Sequence, residues 1–284
     1  MVGILIALAV AGISLQDFLK KKYNCTESGE RISIYCFNLM LVISAMIFFV
    51  PMTGGSFEIN GELIFFAALF AVTYFCATFF SIRAIKEGSM SLTSLFMSYA
   101  LIIPTLYGVV FMNEDFGAVK ISGMALLLIS LYFVSNVKKG EKISGKWFLY
   151  VILMFLGNGL CSTFQRVYQI RSGGDGKAEF MIIALGIIAI AMVILVAVTE
   201  KKVSLPKIKN GGIFAVFCGL ANGGVNLLTM ILAKYPASIV YPTISAGGII
   251  LTFILAKFVF REKMSVNQYI GFCIGVVSVV LLNI

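Results

Sequence analysis

The chain has 284 residues, of which 60% are hydrophobic and only 12% are charged, and its mean hydropathy is +1.01. Soluble globular domains carry about 25% charged residues, so this composition excludes that class and predicts an integral membrane protein. The formal charge of +9 is dispersed between apolar runs and is not gathered into one patch, so we expect no nucleic-acid partner.

Apolar runs of membrane-crossing length follow one another along the whole chain. A helix needs about 20 apolar residues to cross a hydrocarbon core of about 30 Å. Ten such runs predict an all-α integral membrane fold with short connections. Basic residues follow the first run and do not precede it, so we expect a retained helix and not a cleaved signal. The predicted spans are Val2–Leu19, Ile32–Val50, Leu63–Ile82, Met90–Met112, Phe116–Val137, Trp147–Gln165, Phe180–Thr199, Gly211–Ala233, Ala237–Phe260 and Met264–Ile284.

Lysine and arginine are distributed unevenly among the connections. Of the 22 basic residues, 17 lie after predicted spans one, three, five, seven and nine, when Lys257 near the end of span nine is counted with the connection that follows it. By the positive-inside rule those connections face the cytoplasm. We therefore predict a multi-pass protein of the cell (plasma) membrane with both termini outside the cytoplasm.

The second half of the sequence repeats the first. A shift of 148 positions overlays Glu114 on Glu262 and Gly123 on Gly271. We predict two five-helix repeats, 1–137 and 147–284, joined by a basic linker loop, 138–146. Because five is odd, the second repeat enters the membrane inverted, and such repeats enclose a substrate site near the midplane in many transporters.

These residues resemble those of a known family. Two sets of five helices, a glutamate before the last helix of each half with glycine nine residues later, and Ala84–Gly88 echoed by Leu232–Pro236 are similar to the drug/metabolite transporter superfamily, specifically its EamA-type members. The resemblance implies a basket of ten helices around a central cavity, alternating access, and substrates such as amino acids. The chain departs from the family in having Leu101 and Ile249 where a proline is expected, and in the outside termini that its charges predict.

Polar residues recur at equivalent positions in the two halves. Tyr74, Thr78 and Ser81 share one face of the third predicted helix because their spacing matches the helical period. The same shift maps this stripe onto Asn222, Asn226 and Thr229. The two stripes are candidates for facing each other across a cavity. Alternatively, the hydroxyls bond their own helix backbone and the amides join neighbouring helices.

Further candidates lie in the first, sixth and fourth spans. Gln16 and the glycine-flanked Asn158 occupy corresponding helices, and Pro104 would free a backbone carbonyl near Ser98 and Tyr99. Close packing through small residues is the alternative explanation for the glycines. The candidate substrate-binding residues are Gln16, Tyr74, Thr78, Ser98, Tyr99, Asn158, Asn222 and Asn226.

The sequence argues against catalysis. Histidine is absent, the six cysteines stand singly, and neither a phosphate loop nor a hydrolase motif is present, so we expect no metal, no cofactor and no enzyme activity.

The charged residues bear on the kind of transport. No carboxylate lies at mid-span, which argues against proton coupling and favours an exporter or facilitator of a neutral or zwitterionic metabolite. Asp17 is an exception if water reaches it. A lipid flippase of the same fold and a non-transporting scaffold are the alternatives. The expected partners are a small-molecule substrate and the lipid bilayer, and either a monomer or an oligomer fits.

Overall fold

The structure, a computed structural model, describes residues 2–25, 33–54, 57–87, 90–134, 144–199, 205–259 and 265–282. All the regular elements in these ranges are helical, which confirms the all-α prediction there. They are α1 (Val2–Cys25), α2 (Ile34–Phe49) with a 3-10 turn (Val50–Thr53), α3 (Gly61–Glu87), α4 (Met90–Tyr99), α5 (Ile102–Phe111), α6 (Ala118–Val134), α7 (Gly145–Arg171), α8 (Lys177–Thr199), α9 (Leu205–Leu232), α10 (Ala237–Phe258) and α11 (Val266–Leu282).

Among the described residues, seven helices are long and apolar enough to cross a membrane, namely α1, α2, α3, α7, α8, α9 and α10. Three shorter apolar segments, Phe96–Phe111, Ala118–Phe133 and Val266–Leu282, lie within predicted spans four, five and ten. A helix satisfies its own backbone hydrogen bonds, so it is the form that such apolar segments adopt in lipid. Residues 138–143 of the predicted linker, Glu262 of the repeated motif and the terminal Ile284 lie outside the described ranges.

The predicted fourth span is divided in two. Helix α4 ends at Tyr99 and α5 begins at Ile102, where a single helix was expected. Pro104 has no N–H to donate to the carbonyl of Ala100, and the N–H of Ile103 donates to that carbonyl instead, at 3.1 Å. The helix is therefore interrupted at the level where it meets α7.

The helices pack as a bundle in which α3 lies along α7, α1 along α9, and α6 along α11. The largest buried cluster joins α2, α3, α7 and α8. Aromatic rings fill it, with Tyr168 stacked on Phe180 at a centroid distance of 4.8 Å. Phe70 meets Phe180 edge-on at 5.7 Å. This cluster holds α3 and α7 against each other and against α2 and α8.

Two reciprocal hydrogen bonds join α6 to α11. The Ser130 hydroxyl donates to the Gly271 carbonyl at 2.7 Å, and the Ser278 hydroxyl donates to the Gly123 carbonyl at 2.8 Å. Both serines are fully buried. A Cβ at Gly275 would lie 2.8 Å from the Ser130 hydroxyl oxygen, so glycine allows the close approach that these bonds require.

We expect Gly275→Val to destabilise the protein because the added side chain forces α6 and α11 apart. Overpacking of this kind costs about 1–3 kcal/mol, which thermal unfolding in detergent measures as a lower Tm. Gly224→Val is the matched control, since a Cβ at Gly224 meets nothing within 4 Å. Equal Tm values for the two variants would contradict a tight α6–α11 contact.

Candidate functional site

A cavity of about 550 Å³ lies among α1, α3, α4, α7, α9 and α10, and we call it the central cavity. Both polar and apolar side chains line it. Seven of the eight candidate residues line it. They are Gln16, Tyr74, Thr78, Ser98, Asn158, Asn222 and Asn226.

Four carboxamides form a chain of hydrogen bonds along the wall of the central cavity. Gln165 Nε2 donates to Asn226 Oδ1 at 3.1 Å, and Asn226 Nδ2 donates to Asn222 Oδ1 at 3.0 Å. Asn222 Nδ2 then donates to Gln16 Oε1 at 3.1 Å. These hydrogen bonds connect α7, α9 and α1. Polar amide groups that would be costly to leave unpaired in lipid therefore bond one another.

Tyr99, the eighth candidate, does not line the central cavity. Its hydroxyl donates to the carbonyl of Leu128 at 2.8 Å, which ties α4 to α6. Successive residues of a helix point about 100° apart, so Ser98 and Tyr99 face different neighbours. Tyr74 does line the cavity, and its ring stacks on that of Phe70 with a centroid distance of 5.6 Å.

Asn158 links the cavity wall to the interruption between α4 and α5. Its Nδ2 donates to the carbonyl of Met97 at 3.1 Å, in the last turn of α4. A Cβ on the adjacent Gly159 would lie 2.8 Å from the Ala100 carbonyl oxygen, so α7 touches the interrupted backbone here. The glycines beside Asn158 therefore serve close packing, and its amide adds a second hydrogen bond to the Met97 carbonyl, which also accepts from the Ala100 N–H at 3.3 Å.

The lining residues that the sequence reasoning missed include Gln165 and Tyr241, whose side chains are polar. Gln165 follows Asn158 by seven residues, two helical turns, so the helical period could have identified it. Tyr241, on α10, also lines the cavity, and its hydroxyl donates to the Ser162 carbonyl at 3.3 Å. No repeat-based signal pointed to Tyr241.

A buried ion pair lies beyond one end of the central cavity. Arg166 Nη2 contacts Glu114 Oε1 at 2.5 Å, and the two side chains are 5% and 9% exposed. The same Nη2 donates to the Tyr235 carbonyl at 3.0 Å, and the Ser238 N–H donates to Glu114 Oε2 at 3.0 Å. The carboxylate thus caps the N-terminus of α10, where the helix dipole favours negative charge.

Local backbone geometry positions Glu114. Asn113 adopts a left-handed conformation with φ of 53°, and the Glu114 N–H donates to the Gly108 carbonyl at 3.2 Å. A Cβ at Gly108 would lie 2.7 Å from Glu114 Oε2, so glycine makes room for the carboxylate. The sequence marked Glu114 only as part of a repeated motif, whereas the structure gives it contacts to α7 and α10.

The electrostatic balance at Glu114 favours the ionised form. Burial raises the pKa of the carboxyl group, but hydrogen bonds from the N–H groups of Ser238 and Ala237, together with the Arg166 guanidinium, outweigh burial and hold the pKa below its ordinary value. The ion pair is therefore intact at neutral pH.

The two ends of the central cavity differ in character. Asp17 and Lys20, both exposed, line it toward the C-terminal end of α1. The N-terminal half of α1 packs against the end of α9 and the start of α10, near the ion pair, through Ile6, Leu232 and Val240. The lining of the cavity is therefore exposed at the α1 C-terminal end, whereas packed side chains of α1, α9 and α10 lie at the other end, with the ion pair beyond them.

Comparison with known proteins identifies a related fold and no family. No family model and no curated protein matches the chain. A solved structure described only as "Crystal structure of protein" is similar, with a TM-score of 0.77 and 12% identity over 99% of this chain and 95% of that one. At this identity the likeness concerns the fold alone, and function has to be argued from the site.

We expect Glu114→Gln to lower stability by about 3 kcal/mol at neutral pH, because Arg166 is left as a buried charge without its partner. The pKa of Glu114 is lowered on folding from an ordinary value of 4.5, so its contribution is full above that pH and is lost as the pH falls through the lowered pKa. Unfolding measured from pH 7 to acid should show the difference between parent and variant shrinking.

Glu62→Gln is the control for this comparison. Glu62 pairs with Arg171 at 2.6 Å, but the two side chains are 42% and 63% exposed, so solvent screens the pair. A loss of stability in Glu62→Gln as large as that in Glu114→Gln would contradict the special role of the buried pair.

Proposed function

We propose that the chain is a plasma-membrane transporter, an exporter or facilitator, that carries a small neutral or zwitterionic metabolite such as an amino acid by alternating access. The amide-lined central cavity is the observation that carries this proposal. We further propose that the protein has ten spans in a five-plus-five inverted repeat, as in the EamA-type members of the drug/metabolite transporter superfamily.

The pairing of helices supports the inverted repeat. Counting α4 and α5 as one span, exchange of the first five spans with the second five turns the α1–α9 contact into the α7–α3 contact. The α6–α11 contact turns into itself. Its two hydrogen bonds, from Ser130 to Gly271 and from Ser278 to Gly123, exchange under the same shift of 148 positions that relates the two halves of the sequence. Helix contacts and sequence repeat therefore agree.

The lining of the central cavity favours an uncharged or zwitterionic solute. Carboxamides donate and accept hydrogen bonds with equal ease, and five of them line the wall. In the part of the chain that the structure describes, Asp17 and Lys20 are the only charged residues lining the cavity, and their charges are opposite. The two charges cancel, so the lining has no net charge to balance that of a charged solute, whose desolvation would be costly.

The difference between the two ends supports alternation. With the end near Lys20 open and the end at Glu114 and Arg166 closed, the described arrangement corresponds to one of the two states that alternating access requires. Opening the second end would require the ion pair to separate. Under the charge-based topology, the open end faces the cytoplasm and both termini lie outside.

The test is solute release from vesicles containing the purified protein. Phosphatidylcholine vesicles would be loaded with an equimolar mixture of neutral and zwitterionic metabolites, and mass spectrometry would follow the loss of each. We expect at least one compound to leave faster than from protein-free vesicles. The Asn222→Ala, Asn226→Ala variant should slow its release roughly tenfold, because each lost amide hydrogen bond costs about 1 kcal/mol.

Asn38→Ala combined with Asn267→Ala is the matched control, since neither residue lines the central cavity. Asn38 bonds the Ile34 carbonyl of its own helix. The control should release the compound at the parental rate. Release equal to that from protein-free vesicles for every compound would contradict the proposal, and movement of labelled lipid in its place would support the flippase.

A further inference from the structure

A second cavity, of about 700 Å³, lies at the end of the bundle where α7 and α9 finish and α10 begins. We call it the vestibule and define it by Arg166, Gln169, Lys177, Met230, Lys234 and Tyr235. The ion pair of Glu114 and Arg166 forms part of its wall. The proposed transport cavity shares no lining residue with it.

Positive charge predominates in the vestibule. Three cationic side chains, those of Arg166, Lys177 and Lys234, line it together with one carboxylate, Glu114. Glu114 is engaged by Arg166. Within the described ranges, no carboxylate lies at ion-pair distance from Lys177 or Lys234. The vestibule thus retains two cationic groups that an anion could neutralise.

The placement of Lys177 does not serve the stability of its helix. It lies in the first turn of α8, where the helix dipole disfavours a cation. The preceding loop bends through Gly173 and Gly174, with φ of 65° and 91°. A Cβ at Gly174 would lie 3.3 Å from Lys177 Nζ, so the ammonium group lies close over the loop backbone. An anion in the vestibule would offset this unfavourable position.

Gln169 supplies an independent indication of a ligand. Its side chain lines the vestibule and the residue is only 3% exposed. Neither the amide nitrogen nor the amide oxygen has a hydrogen-bond partner. Buried amide groups are nearly always paired, so a partner that enters the vestibule is the simplest way to satisfy this one.

The rest of the lining defines the body of the ligand. Met230 and Ile231 present apolar surface, and the Tyr235 ring lies 5.4 Å from Lys234 Nζ. We propose that the vestibule binds a water-soluble organic carboxylate, whose charge is held by Lys177 and Lys234, whose carboxylate accepts from the Gln169 amide, and whose apolar body lies against Met230 and Ile231. This proposal stands whether or not the central cavity transports a solute.

The test uses benzoate as the probe and benzamide as its neutral counterpart of similar shape. Calorimetric titration of the full chain in phosphatidylcholine nanodiscs should give benzoate at least tenfold tighter binding than benzamide, since a charge-assisted hydrogen bond is about twice as strong as a neutral one. Lys177→Gln combined with Lys234→Gln should weaken benzoate binding roughly tenfold. The control, Lys146→Gln with Lys257→Gln, removes the same charge from residues outside the vestibule and should bind benzoate as the parent does.

Equal binding of benzoate and benzamide, or unchanged benzoate binding in the Lys177→Gln, Lys234→Gln variant, would overturn the proposal. A second arm adds phosphatidylglycerol to the nanodiscs. Unchanged benzoate affinity is expected for a site that takes a soluble carboxylate. If phosphatidylglycerol abolishes benzoate binding, the vestibule recognises a lipid headgroup and the proposal of a soluble ligand fails.

Gln169→Leu separates a ligand-binding amide from a merely unpaired one. The variant loses two unpaired buried polar atoms, so the ligand-free protein should melt at a higher temperature than the parent. If the amide bonds the carboxylate, benzoate binding should weaken severalfold in the same variant. A more stable variant that binds benzoate as tightly as the parent would remove Gln169 from the proposed site.

Discussion

A bilayer offers no water to a polar side chain, and this constraint decides where the polar groups of this chain lie. Gln16, Asn222, Asn226 and Gln165 are costly in lipid, but they bond one another between α1, α9 and α7. Their mutual bonding holds these helices around the central cavity. The same amides face a space of about 550 Å³, so the groups that bind the helices together are also those that would meet a solute. The packing of these helices and the proposed binding of a solute therefore depend on one hydrogen-bond network.

The second polar device, the ion pair of Glu114 and Arg166, has a different character. Glu114 accepts a hydrogen bond from the Ser238 N–H, and Arg166 donates to the Tyr235 carbonyl and to the Met112 sulfur. These bonds compensate both buried charges, so the pair can hold α7 and the start of α10 together without leaving an unpaired charge. Because it bridges α7, the loop before α6 and the start of α10, its separation would release three elements together. Such an arrangement suits a two-state closure better than a gradual one.

The sequence predicted which polar residues line the cavity better than it predicted their hydrogen-bond partners. Polar residues within apolar helices are rare enough to be noticed singly, which is why Asn222 and Asn226 were identified. Their bonds to Gln16 and Gln165 join positions far apart in the chain, and only helix packing determines such pairs. Tyr99 does not line the central cavity, because adjacent helical residues face different neighbours. The interruption at Ala100 could be anticipated from Pro104, but its cap, Asn158, comes from another helix.

The measurement that tests the account most directly is thiol labelling from each side of the membrane. A cysteine at Thr78, which lines the central cavity, would be introduced into a chain whose six native cysteines are replaced. An impermeant maleimide should label it only from the face of the α1–α2 connection, and from both faces once Glu114→Gln weakens the closure. Labelling from both faces in the parent, or from one face in both proteins, would contradict a cavity closed by the buried ion pair.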